Sequence, residues 1–164
     1  MAIEVRPIAF EHAAGFHACL DAVAREKRFL AQTQALPLVR VEGFVRDSVA
    51  GDAIQFVALD GARVVGWCDI FPEWADAVAH VGRVGMGLLP EARGQRVGER
   101  LLRACLDKAR AKGLTRIELH VRADNSRAIA LYRRLGFAPE AVLARGMRFD
   151  GVYYDGLQMS LLLD

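Results

Sequence analysis

The chain has 164 residues, 53% hydrophobic and 26% charged, a composition that excludes an intrinsically disordered protein and suits a single globular domain over residues 1–164. Its net charge is only +2, but residues 93–134 hold 12 Lys/Arg against 4 Asp/Glu while the remainder is acidic, so a small polyanionic ligand is expected and broad nucleic-acid binding is not. No apolar run reaches the ~20 residues of a membrane helix, and the start (Met1-Ala2-Ile3-Glu4-Val5-Arg6) has no long apolar core, so the expectation is a cytoplasmic protein with no membrane partner.

In chain order, Ile3 to Ile8 alternates and reads as a first strand. From Phe10 to about Lys27, Ala13, Phe16, Cys19, Leu20 and Val23 recur at helical spacing. Residues 28–37 form a loop, and a second helix runs from about Val39 to Ala50. Gln55–Leu59 and Arg63–Phe71 are strands joined at Asp60-Gly61, a hairpin turn. A loop with Glu73 and Trp74 leads to a strand from Val78 to Leu89. The glycines inside that strand (Gly82, Gly85, Gly87) indicate a bulge or a close approach by another backbone or a ligand.

Next comes Arg93-Gly94-Gln95-Arg96-Val97-Gly98-Glu99, directly followed by a helix whose apolar face is Leu101, Leu102, Cys105, Leu106 and Ala109 and whose end is marked by Gly113. A strand, a glycine-bearing turn and a helix N-terminus make an anion site, because free N–H groups and the positive end of the helix dipole face the same point. Arg93 and Arg96 add mobile positive charge beside it. Thr115–Val121 is a further strand, Asn125 is a good N-cap for a helix striped by Ala128, Ile129, Leu131, Tyr132 and Leu135, and Gly136 ends that helix. The chain closes with strands at about 138–149 and 152–163, turned at Asp150-Gly151.

The order β-α-α-β-β-β-α-β-α-β-β describes an α+β domain with a mixed central sheet flanked by helices, in which the strands on either side of the glycine-turn helix lie parallel. Cys19, Cys68 and Cys105 are odd in number and far apart, and the histidines lack ligand spacing. No disulfide framework and no metal site are therefore expected, and the thiols read as buried apolar groups.

This order and its motifs resemble the GCN5-related N-acetyltransferase (GNAT) superfamily over nearly the whole chain. The turn Arg93-Gly94-Gln95-Arg96-Val97-Gly98 is similar to the family's Gln/Arg-x-x-Gly-x-Gly/Ala, with Arg96 where the first of its glycines is expected. Asn125-Ser126-Arg127-Ala128-Ile129-Ala130-Leu131-Tyr132, ending at Gly136-Phe137, is similar to Asn-x-x-Ala-x-x-Leu-Tyr-x-x-x-Gly-Phe. The closing hairpin carries Gly151-Val152-Tyr153-Tyr154-Asp155. At Arg96 two outcomes stand open: a strained left-handed turn costing about 1–3 kcal/mol, or an extra charge-assisted phosphate contact.

The resemblance implies acetyl-CoA as donor and an amine of a small molecule or peptide as acceptor, joined by direct attack in a ternary complex. It implies that Met86, Gly87 and Leu88 bond the pantetheine arm, that Arg93 through Glu99 hold the pyrophosphate, and that Asn125 touches the cofactor's arm. A bulge near Gly85-Met86 would free an N–H for the thioester carbonyl. Tyr132 matches the family's general acid. His120 stands where some ribosomal-protein acetyltransferases of the family carry a glutamate base, and His80, Glu73 and water are its rivals. The acceptor pocket would draw on Glu26, Trp67, Asp69, Glu73, Trp74, Tyr153 and Tyr154, whereas His12 and His17 are expected on the exposed side of the first helix. A homodimer is a family expectation. The alternative of another class is an acyl-CoA-binding sensor without catalysis. A dinucleotide-binding Rossmann domain fits worse, since the glycine turn follows antiparallel strands.

Overall fold

The computed structural model describes residues 2–164. Its strands are β1 (Glu4–Pro7), β2 (Ile54–Asp60), β3 (Arg63–Pro72), β4 (Val81–Leu88), β5 (Arg116–Arg122), β6 (Ala138–Phe149) and β7 (Val152–Leu162). They form one sheet in the order β1-β2-β3-β4-β5-β7-β6. The helices are α1 (Ala13–Arg25), α2 (Leu38–Ala50), α3 (Val97–Ala111) and α4 (Ser126–Arg134). Every neighbouring strand pair is antiparallel except β4–β5, which is parallel. The expected α+β order and its parallel pair are those of the structure.

Local chemistry accounts for these elements. The helix α3 presents Leu101, Leu102, Cys105, Leu106 and Ala109 to the sheet, all buried. Each of its leucines gains roughly 1.5–3 kcal/mol by leaving water, which is what holds this charged helix down. Gly113 (φ +84°) and Gly136 (φ +98°) turn the chain in the left-handed region after α3 and α4. The thiols of Cys19, Cys68 and Cys105 are free and buried. Burial pushes the Cys19 thiol up to about 12, so it is an inert packing group.

Three expectations need correction. The strand expected from Val78 begins at Val81, because residues 76–78 form a 3-10 turn in which the Val78 N–H bonds the Ala75 carbonyl. No bulge interrupts β4: it pairs with β3 in unbroken register from Gly82↔Pro72 to Leu88↔Gly66. Its glycines answer to neighbouring side chains instead, since a Cβ at Gly87 would lie 2.4 Å from the Trp67 ring. His12 and His17 are half-buried rather than exposed. His12 Nδ1 accepts the Ala9 N–H at 2.9 Å, and His17 Nε2 meets the Leu36 carbonyl at 2.9 Å.

Candidate active site

The site begins where β4 and β5 part. Their parallel pairing runs from Val81↔Arg116 to Arg83↔Glu118 and stops there. Beyond it β4 continues to Leu88 beside β3, while β5 continues to Arg122 beside β7. The sheet therefore opens as a V, and the edge of β4 from Val84 to Leu88 faces a cleft instead of a strand. That splay, not a bulge, is what leaves backbone groups free for a ligand.

A cavity of about 610 Å³ fills the opening. Met86, Gly87, Leu88, Arg93, Gly94, Arg96, Val97, Gly98, Glu99, His120, Asn125 and Tyr132 all line it. Gln95 lies outside, its side-chain amide donating to the Glu91 carbonyl at 2.7 Å. At one end stands the N-terminus of α3. Its first intrahelical bond is Arg100 N–H to the Arg96 carbonyl, and no side chain caps it, so the N–H groups of Val97, Gly98 and Glu99 are available to an anion. Gly98 lets β4 approach, with Met86 Cε only 3.3 Å from where its Cβ would be.

The two arginines of the turn have different fates. Arg93 is turned inward: it donates to the Leu88 carbonyl at 2.8 and 3.1 Å, forks onto Glu26 at 2.5 and 3.1 Å, and covers the Phe29 ring at 4.7 Å. It clamps the loop after α1 to the end of β4 and is not the mobile phosphate-facing charge expected. Arg96 is exposed and adopts φ +62°, ψ +16°, the left-handed conformation of the missing glycine. Of the two outcomes left open at this position the structure shows the strained left-handed turn, and the exposed guanidinium lies 3.4 Å from the Glu99 carboxylate. Glu99 keeps Arg96, Arg103 and Arg134 within 3.4–3.7 Å, a basic cluster at the mouth.

On the opposite wall, Asn125 caps α4 by accepting the Ala128 N–H at 3.3 Å through Oδ1, which leaves its amide N–H groups as donors. A fork from Arg122 to Asp124 at 2.7 and 3.0 Å holds the turn that presents Asn125, and the Tyr154 ring lies 3.6 Å beneath the guanidinium. Tyr132 is 7% exposed and packs against Phe137 at 5.9 Å. Burial pushes its phenol well above the ordinary tyrosine value, so it stays protonated.

A second cavity of about 450 Å³ lies between α1, α2 and β3, lined mostly by apolar groups together with Gln32, Arg40 and Asp69. Of the acceptor-pocket residues expected from the sequence, Trp67 and Asp69 line it. Glu26 is paired with Arg93 and Glu73 with Arg83, Trp74 is 92% exposed, and Tyr153 and Tyr154 pack under arginines. Leu30, Ala31, Gly85 and Met86 line both cavities, so the two meet across β4 under the loop that follows α1. The bridging role of Leu30 and Ala31 was not foreseen. Arg127, on the cofactor side, was also missed, although the motif Asn125-Ser126-Arg127 placed it one turn from the slot.

The sequence profile of the acetyltransferase (GNAT) family matches residues 16–137. The chain belongs to that family. The glycine-bearing turn and the Asn125–Tyr132 helix are the parts of this GNAT chain whose motifs stand in the sequence. It is 38% identical over 86 residues to a mycothiol acetyltransferase of Beutenbergia cavernae, covering 52% of this chain and 28% of that one. The chain thus spans less than a third of the length of that relative. An acetyltransferase of the GNAT family from Streptococcus pneumoniae superposes with a TM-score of 0.91 over 99% of this chain and 100% of its own, at 24% identity. The protein yncA from Salmonella typhimurium, solved with its cofactor acetyl-CoA, gives a TM-score of 0.92 at 17% identity, covering 100% of this chain and 95% of that one. These likenesses describe the fold.

Proposed function

We propose that this GNAT domain moves an acetyl group from acetyl-CoA to a primary amine by direct attack in a ternary complex. The observation that carries the reading is the meeting of two cavities at Gly85 and Met86: a long cleft with an anion site at one end, and a separate, mostly apolar chamber opening on the same stretch of β4. The residues fit the donor. The β4 edge supplies backbone groups of Met86, Gly87 and Leu88 to an amide-bearing arm. The α3 N–H groups with Arg96 suit a pyrophosphate, and the Asn125 amide reaches from the facing wall. Acetyl-CoA supplies an acyl carbon on a thiolate leaving group.

The chain's part is to hold, orient and move protons. Free N–H groups on the β4 edge stand where carbonyl charge develops, a form of stabilisation effective in a cleft that excludes water. Tyr132, kept protonated by burial, donates to the departing sulfur. Free thiols have pKa ~8.5, so the leaving group needs only modest help. His120 is exposed on the cofactor side and does not line the acceptor chamber. As a base it would act from the mouth of the cleft, through water.

The size and lining of the acceptor chamber favour a small molecule with an apolar body over a protein surface or nucleic acid. Mycothiol enters through the name of the relatives alone, over under a third of their length, and is one acceptor class to test. Thiol release from acetyl-CoA, followed across a panel of small amines, tests the reading. Acetyl-CoA binding without thiol release for any of them would leave only a sensor.

A further inference from the structure

A carboxylate stands where the two cavities join. On β3, Trp67, Asp69 and Phe71 alternate onto one face of the sheet, the face covered by α1 and α2. Trp67 packs edge-on against Phe16 of α1 at 5.7 Å, and Phe71 against Phe44 of α2 at 5.4 Å. Between these aromatic pairs Asp69 pairs in register with Gly85 of β4 on one side and Gln55 of β2 on the other. Its Oδ1 lies 2.8 Å from the point a Cβ would occupy on Gly85. The carboxylate therefore lies over the backbone of Gly85, one of the residues that line both cavities. Asp69 has no salt bridge among the described residues. Gln55, opposite it, is fully buried with neither amide atom hydrogen-bonded.

We infer that Asp69 is the group that receives the incoming amine and takes its proton, with the amine entering through the chamber between α1, α2 and β3. This rests on the acetyl-transfer reading above. An alkyl ammonium brought into the chamber meets a carboxylate that has no ion-pair partner among the described residues, and Asp69 Oδ accepts one N–H proton. The freed nitrogen lone pair forms the N–C bond to the acetyl carbon as the C–S bond breaks. The second N–H proton leaves with the sulfur, delivered through Tyr132, so the products are amide, CoA thiol and a protonated Asp69. Asp69 then returns its proton to solvent.

The electrostatics agree with the geometry. Burial pushes the Asp69 carboxyl up to about 7, with the Gly85 N–H drawing it slightly back. That places it near the pH at which a general base works best. The groups facing it from the packed elements are few. Among the described residues lining its chamber, Arg40 of α2 is the one other charged side chain and makes no ion pair with it; α1 presents Phe16 and Leu20 and β4 presents Gly85 and Met86, while Gln55 of β2 stands opposite in register.

The test pairs a basic amine with one already neutral at pH 7. Wild type, Asp69→Asn and His120→Ala are assayed by thiol release with 2-phenylethylamine and aniline between pH 5.5 and 9, with melting curves to confirm folding. The expected result is a loss of about 100-fold or more for 2-phenylethylamine in Asp69→Asn, a change of a few-fold for aniline, and loss of the acidic limb of kcat/KM near pH 7. The same limb persists in His120→Ala. Equal losses for both amines, or an Asp69→Asn variant that keeps the limb, overturn the inference while acetyl transfer stands. A wild type that releases no thiol with any amine overturns the transfer reading, and this inference with it.

Discussion

Asp69 and Gly85 face each other across β3 and β4 so closely that Asp69 Oδ1 occupies the edge of the space a side chain at 85 would need, 2.8 Å from its Cβ. Glycine at 85 thus makes room for a carboxylate in an otherwise apolar wall. Gly85→Ala is expected to displace Asp69 and to cost about 1–3 kcal/mol of stability by overpacking. Acetyl transfer should fall more steeply than acetyl-CoA affinity. Urea unfolding alongside kcat and KM checks both parts; an alanine variant of normal turnover would show that the carboxylate's position is immaterial.

Asp69 also makes stability depend on pH. Its folded pKa is raised above the unfolded value, from 3.8 to about 7, so between these values the folded state binds more protons than the unfolded one. Stability contributed by the neutral acid is present below the unfolded pKa and is lost as pH rises through about 7. Asp69→Asn removes that loss. Its melting temperature should exceed wild type clearly at pH 8 and little or not at all at pH 5. Equal differences at the two pH values would mean the carboxyl titrates normally.

Arg96 carries strain and charge together, and two substitutions separate them. Arg96→Gly relieves a left-handed backbone at φ +62° and should stabilise the fold by about 1 kcal/mol. Arg96→Ala keeps the strain. Both lose the cation and should raise the KM for acetyl-CoA several-fold with kcat little changed. Denaturant unfolding separates the pair; affinity for acetyl-CoA should not.

Tyr132→Phe removes only a hydroxyl from a buried ring. Turnover should drop by about tenfold, less than the ~100-fold or more a positioned acid typically supplies, because the leaving thiolate is a fair one, while acetyl-CoA affinity stays near wild type. Single-turnover kinetics with isothermal titration measure the two separately. Unchanged turnover would remove Tyr132 from catalysis.

Arg93→Ala should act on structure first. It takes away the fork to Glu26, the bonds to the Leu88 carbonyl and the cover over Phe29. Hydrogen bonds to charged groups contribute about 1.5–3 kcal/mol, and the pair is only partly buried, so the low end applies. Proteolysis within residues 26–37 should quicken, since this arginine ties that loop to β4.

The α3 and α4 motifs, the two tight hairpins and the element order were legible because each is a local pattern: apolar period, N-cap, glycine at a positive φ. What stayed hidden depends on contacts between distant residues. Arg93 reads as a phosphate-facing charge until the fold brings Glu26 to it from 67 residues away. The glycines of β4 read as a bulge because sequence shows missing side chains but not whose side chains fill the space; Trp67 and Asp69 do. The splay of β4 from β5 leaves no residue-level mark at all. Asp69 did carry a signal. It is a charge in Trp67-Cys68-Asp69-Ile70-Phe71, a strand apolar on both faces, and a lone carboxylate there has to be paired or functional.

In the proposed reaction the two cavities meeting at Gly85 and Met86 carry acetyl-CoA and an amine. The most direct measurement is thiol release from acetyl-CoA by the purified chain over a panel of small amines, with mass spectrometry of the product. The expected result is amine-dependent release with the acetyl group on nitrogen, at rates that fall when Tyr132 or Asp69 is replaced. Tight acetyl-CoA binding with no amine-dependent release would contradict it.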